Sequence, residues 1–296
     1  MARRLDWPAL VERAQGSFPG RCVGSFIWLR GLDRSMVIAS QAFTALIPLL
    51  MVVSAFFPRG SDTAVSDAVI RRFGLTGDAA AAVTEVFAHS GSSSVGIASM
   101  LLLLFSGVSL TRRMQKMYLS AWQVPPRRGV RGSLNAVMGL LALLLEFMVL
   151  YLFLTVIRNL PFDRALQLPL SWAASLVLWT TIPWLLLDRQ VGWRRLAVGG
   201  ALTATCATLY GVATTIYMPP LMESYSARYG LFGVTIALVG WLLCIAVLVV
   251  ASTVVAAELD RAPERWAQRF RGFVGIVERE PAPSRREERL SDVVDV

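Results

Sequence analysis

The chain has 296 residues, 55% of them hydrophobic and only 17% charged, and its mean hydropathy is +0.56. A soluble domain of this length needs neither so much apolar residue nor so little charge. Composition therefore excludes an ordinary soluble enzyme, a disordered chain and a disulfide scaffold, and it points to an all-α integral membrane protein. Net charge is +9, and Lys116 is the single lysine among 29 basic residues. These gather between apolar blocks, which indicates a topology signal and attraction to anionic headgroups, not a nucleic-acid face. Cys22, Cys206 and Cys244 lie far apart, with neither disulfide nor metal-ligand spacing. Arg3 and Arg4 lead into Asp6, Trp7, Pro8 and Glu12, so no cleavable signal peptide is expected.

Residues 1–33 read as a cytoplasmic segment. Trp7, Leu10, Val11, Ala14 and Phe18 follow helical spacing, with Pro8 suited to a first turn after Asp6. Residues 34–259 read as a transmembrane domain. About 20 apolar residues cross the hydrocarbon core, and six runs qualify: 35–57, 95–110, 134–157, 168–187, 196–218 and 231–259. The second is short, so Arg112 and Arg113 are expected to snorkel. The fifth is expected to stop at Pro219-Pro220.

Between the first two runs, residues 58–94 form an outer loop. Val65, Val69 and Phe73 make one short stripe, Thr76-Gly77-Asp78 breaks it, and Val83, Val86 and Phe87 make a second. A small helical pair is expected there, with His89 and residues 90–94 as a flexible entry to the next span. With both termini cytoplasmic, 23 of the 29 basic residues lie inside and 6 outside.

In the tail, 260–296, Trp266, Phe270, Phe273, Val274 and Val277 repeat the helical stripe beside Arg261, Arg265, Arg269 and Arg271. Residues from about 280 on have a disordered composition. The two terminal stripes suit amphipathic helices at the cytoplasmic interface. They equally suit helices packed on each other or on the inner loops.

Ionisable groups at membrane depth are costly, so each is a candidate site. Glu146 sits mid-span between Leu145 and Phe147. It is either a proton, cation or substrate-path group, or a carboxyl that holds helices together. Gln41 and Thr44 precede Pro48, which bends a helix and frees the Thr44 carbonyl. The bend either lines a cavity or packs. Glu258 stands beside Asp260 and Arg261 at the inner end of the last run, where a salt bridge is the simpler role. Gly200-Ala204-Thr208 and Ala207-Gly211-Thr215 are small-residue rows that permit close helix approach. Catalytic constellations are missing. One histidine cannot supply a hydrolase metal cluster, and there is no P-loop and no G-x-S-x-G turn. No enzyme activity, cofactor or metal is expected.

Three stretches carry a resemblance. They are Gln41-Ala-Phe-Thr44-Ala-Leu-Ile-Pro48-Leu-Leu50, then Trp193-Arg194-Arg195 through Gly199-Gly200-Ala201-Leu202 to Tyr217. The third is Tyr225-Ser-Ala-Arg228-Tyr229-Gly230, followed by Leu238, Trp241 and Ala257-Glu258-Leu259. In order and spacing they resemble the YihY / virulence factor BrkB family of bacterial inner-membrane proteins, over roughly residues 20 to 260. Gly199 stands where that family usually has proline. The resemblance implies six helical spans in the bacterial cytoplasmic membrane. It points to Gln41, Thr44, Pro48, Tyr225, Tyr229, Gly230 and Glu258. It does not reach Glu146, which stands on its depth alone. The family has carried a ribonuclease label, which nothing in this sequence supports. Two functions are in view. One is a transporter or lipid translocator without its own ATPase, with membrane lipids as partners. The other is a non-catalytic adaptor that recruits envelope proteins through residues 62–90.

Overall fold

The computed structural model describes residues 16–56, 93–126 and 164–275, and single positions at 67, 70, 77, 80, 81, 84, 139, 141, 144, 145 and 148. No strand occurs among the described residues. Helix α1 is Phe18–Trp28. The Ser17 hydroxyl accepts from the Gly20 N–H at 3.3 Å, and Pro19 occupies the first turn, a favoured helix start. Arg30, in the left-handed region at φ 53°, turns the chain into α2, Gly31–Phe56. The stripe at residues 7–14 lies outside the described residues.

Helix α3, Ser93–Ala121, runs well past the expected end at Leu110. Its extension is amphipathic: Thr111, Met114, Met117, Tyr118 and Ala121 are buried while Arg112 and Arg113 stay exposed. The apolar run therefore ends near Leu110, but the helix continues as a packed element. Arg34 ties the start of α2 to this extension through the Lys116 carbonyl and the Ser120 hydroxyl, each at 3.1 Å. Helix α4 is Arg164–Leu186. It ends in two left-handed residues, Asp188 and Arg189, with the Arg189 guanidinium 4.7 Å above the Trp184 ring.

Helix α5, Trp193–Arg261, is a 69-residue stretch broken once, at Gly230 (φ 58°, ψ −139°), a conformation open mainly to glycine. Its two limbs run antiparallel. Arg195 meets Asp260, a Cβ on Gly199 would touch the Ala256 Cβ, the Tyr210 hydroxyl donates to the Trp241 carbonyl, and Met218 packs on Ala237. The expected stop at Pro219-Pro220 does not occur: the limb continues to the glycine. The prolines remove two N–H donors but hold a helical φ. Met218 and Met222 on either side are fully buried, so packing keeps the segment helical. Helix α6, Arg265–Val274, ends at Gly275 with φ 71°, and Val277 lies outside the described residues.

Trp193–Gly230, Phe232–Arg261 and Pro169–Leu186 are each long and apolar enough to cross a membrane. At 1.5 Å per residue, α2 and α3 rise about 39 and about 43 Å, more than the hydrocarbon core of about 30 Å. The described positions between 139 and 148 are helical, and Gly139 sits against Leu186 and Thr111. Between α2 and α3 in the chain, Ile70 and Ala80 pack beside Met218, Met222 and Ala237 near the hairpin tip. Gly77, at the position of the expected break, has φ 58°.

The main core joins α2, α3, α4 and α5 through Ile38, Met117, Tyr118, Ile182, Leu196 and Val250. Hydroxyls inside it are satisfied by their own helices. Ser35, Thr111, Thr203, Thr214 and Thr253 each donate to a carbonyl four residues back, at 2.7 to 2.9 Å. That removes most of the cost of placing them at depth.

Candidate functional site

The last carbonyls of a helix have no partner within it. At the end of α5 they meet Arg271, whose guanidinium donates to Leu259, Asp260 and Ala262 at 3.0, 3.0 and 2.8 Å. Arg271 is buried because α6 folds back under the hairpin and turns this side chain inward. Asp260 grips Arg195 at the start of the same hairpin, Nε to Oδ1 at 2.8 Å and a terminal nitrogen to Oδ2 at 2.7 Å. That two-point geometry locks the limb ends in register.

Glu258, two residues back, is 8% exposed. The Ser25 hydroxyl of α1 donates to it at 2.6 Å, and Arg261 lies 3.7 Å away. Arg261 also reaches the Ala121 carbonyl at the end of α3. Helix α1 is pinned a second time by Arg21, which binds Glu264 at 2.5 Å in the turn before α6. Phe18 meets Trp266 edge-on at 5.2 Å. Phe18 and Trp266, one residue of each terminal stripe, therefore touch. The Arg21 guanidinium, and then the backbone, hold the Glu264 carboxyl below its ordinary value. Burial, and then the Glu258 carboxylate, push the Cys22 thiol up, so it stays protonated near neutral pH.

Between these elements lies a recess of about 10 Å³, lined by Ser25, Ser120, Gln123, Glu258 and Arg261 among others. It has room for one water molecule and not for a solute. Its chemistry is a carboxylate acceptor facing hydroxyl, amide and guanidinium donors. Such a set can hold a water or relay a proton. Among the described residues no group of His, Cys, Asp and Glu could hold a metal.

The other sequence candidates are not gathered here. Gln41, Thr44 and Pro48 lie within α2, and the Thr44 hydroxyl is already given to the Ser40 carbonyl at 2.9 Å. Pro48 is buried within a helix that continues to Phe56. Tyr225 and Tyr229 stand near the hairpin tip, ring centroids 6.3 Å apart, with Tyr229 60% exposed. The limb that starts at Phe232 separates them from Glu258 by about 39 Å. Glu146 lies outside the described residues. Sequence reasoning missed Ser25, Arg21, Glu264 and the Arg195–Asp260 pair, which meet only through the fold. Arg271 was legible in part. It shares a helix face with Ala267, away from Trp266, Phe270 and Phe273.

Long apolar helices, self-satisfied hydroxyls and a charged network at one end define an α-helical membrane protein. Residues 29–271 match the family model described as Virulence factor BrkB, and the chain belongs to that family. No curated protein and no solved structure matches the chain.

Proposed function

We propose that the chain is a six-span protein of the bacterial cytoplasmic membrane with both termini inside. In this reading it moves a lipid or a solute across the bilayer, with no ATPase, catalysis, cofactor or metal of its own. The observation that carries the reading is Glu258. A buried carboxylate at the margin of the hydrocarbon is costly, and here its hydroxyl partner comes from a separate short helix. Ser25–Glu258, Arg21–Glu264, the Phe18–Trp266 ring contact and Phe26 at the margin of the core hold α1 over the recess. Releasing these few contacts disturbs less packing than opening the core shared by α2, α3, α4 and α5. In this reading α1 is the inner cover of the path, Glu258 its polar point, and the described state is closed. Gln41, Thr44, Pro48, Glu146, Tyr225 and Tyr229 remain path candidates.

The test is flux. Purified protein reconstituted in liposomes should scramble a fluorescent phospholipid or release a trapped solute. Glu258→Gln and Ser25→Ala should change the rate at least several-fold while inserting normally. Wild-type flux equal to empty liposomes, or variants equal to wild type, would overturn the reading. Glu146→Gln asks the same question at mid-span.

A second reading, as an adaptor, has its own observation. Tyr229 and Phe232 are 60% and 71% exposed near the tip, close to the packed positions of the outer loop. Under this reading deletion of residues 62–90 abolishes crosslinks to envelope proteins, and surviving crosslinks count against it.

A further inference from the structure

Helix α6 turns its aromatic residues away from the protein. Ala267 and Arg271 form its inner face and are buried. Trp266, Phe270 and Phe273, at i, i+4 and i+7, form a stripe about 110° around the helix from that face. All three are exposed, Phe273 by 90%. Arg265 and Arg269 lie about 90° further round, nearly opposite the buried face, and both are exposed. No described residue forms an ion pair with either. Gln268 and Gly272 fill the remaining side. The order around the helix is therefore protein, aromatic, cationic, neutral polar. Helix α1 adds further exposed apolar residues beside α6. Val23, Ile27 and Trp28 are exposed on it, and its Phe18 touches Trp266.

We propose that α1 and α6 together form a collar that binds anionic lipid headgroups. Trp266, Phe270 and Phe273 enter the acyl boundary, and Arg265 and Arg269 take the phosphates. The occupant must be apolar below and anionic beside the same helix, and the surface of an anionic leaflet has that arrangement. Charge complementarity supports it. Among the described carboxylates at this end, Glu258 has Arg261 beside it, Asp260 has Arg195, Glu264 has Arg21 and Asp33 has Arg30. Arg113, Arg189 and Arg194 are exposed at the same end, so the outward field is positive. The collar rests on the membrane class of the protein and not on transport, so loss of flux leaves it standing.

The test uses the full chain in neutral detergent, titrated with phosphatidylglycerol or phosphatidylcholine and followed by native mass spectrometry. Wild type should retain phosphatidylglycerol in preference to phosphatidylcholine. The double variant Arg265→Gln/Arg269→Gln should weaken phosphatidylglycerol binding about 30-fold, at the usual strength of two basic side chains on an anionic surface. Its phosphatidylcholine binding should not change. Arg265→Lys/Arg269→Lys should restore the preference, which separates lost charge from lost fold. Phe273→Ser should weaken both lipids equally. Equal retention of the two lipids by wild type would overturn the proposal, as would an undiminished preference in the glutamine variant. A dimer that Phe273→Ser dissociates would give the face to a second copy and also overturn it.

Discussion

Gly200 and Gly211 occupy similar small-residue rows on one limb of α5, but only the first row is a contact surface. A Cβ on Gly200 would overlap the Thr180 hydroxyl and press on its backbone nitrogen at 3.1 Å, whereas Gly211 has no described atom within 4 Å. Gly200→Ala should therefore cost about 1–3 kcal/mol through overpacking. Gly211→Ala should be neutral or gain up to about 1 kcal/mol from helix propensity. Thermal unfolding in one detergent separates the two, and equal shifts would refute the packing of α4 on α5. Gly230 is a different case, constrained by its own backbone. Alanine there meets no described neighbour but must hold φ 58°, at a cost of about 1–3 kcal/mol. Gly233→Ala meets the Tyr225 carbonyl, a backbone group that cannot swing aside.

Among the elements, α6 depends on an arginine that its sequence pattern half conceals. Arg271 serves three carbonyls at the end of α5, so Arg271→Ala leaves buried acceptors open and should cost about 2–3 kcal/mol. Limited proteolysis between α5 and the tail should then accelerate, and unchanged cleavage would mean that α6 is held by other contacts. The α1–α6 clasp carries a pH dependence whose sign follows from Glu264. Its folded pKa is depressed, chiefly by the hydrogen bond from Arg21, so its contribution is full above the ordinary carboxylate pKa. It is lost as pH falls through the depressed folded value. A fluorophore pair across α1 and α6 should separate on that acid limb in wild type. In Glu264→Gln the limb should be absent, and an identical limb there would assign it to another group. Helix periodicity made the apolar stripe of α6 legible, and spacing alone set Arg271 apart from it. That an arginine faces inward was not legible, because its partners are backbone carbonyls, which leave no trace in residue identity.

Across the whole molecule, what could be read from sequence was whatever depends on local periodicity. The apolar runs at 35–57, 168–187 and 231–259 fall on helices within a few residues, because burial in lipid or in a core demands the same stripe. The extension of α3 past Leu110 and the passage of α5 through Pro219-Pro220 were hidden. In both places tertiary burial, at Met117 and at Met218 and Met222, outweighs the local signal. The Ser25–Glu258 contact was hidden for a related reason, since it joins residues 233 apart in the chain. The fold nonetheless makes the charge-based topology testable at two points. The hairpin tip, with Arg228, and the α3 extension, with Arg113, stand at opposite ends of the described helices. In a background with Cys22, Cys206 and Cys244 replaced by serine, Arg228→Cys in intact cells should react with a membrane-impermeant maleimide. Arg113→Cys should react only after the inner membrane is permeabilised. The reverse pattern would invert the topology and place the arginine-rich end outside, against the charge bias. Reaction of both in intact cells would break the hairpin as a pair of spans, and with it the path that Glu258 is proposed to guard.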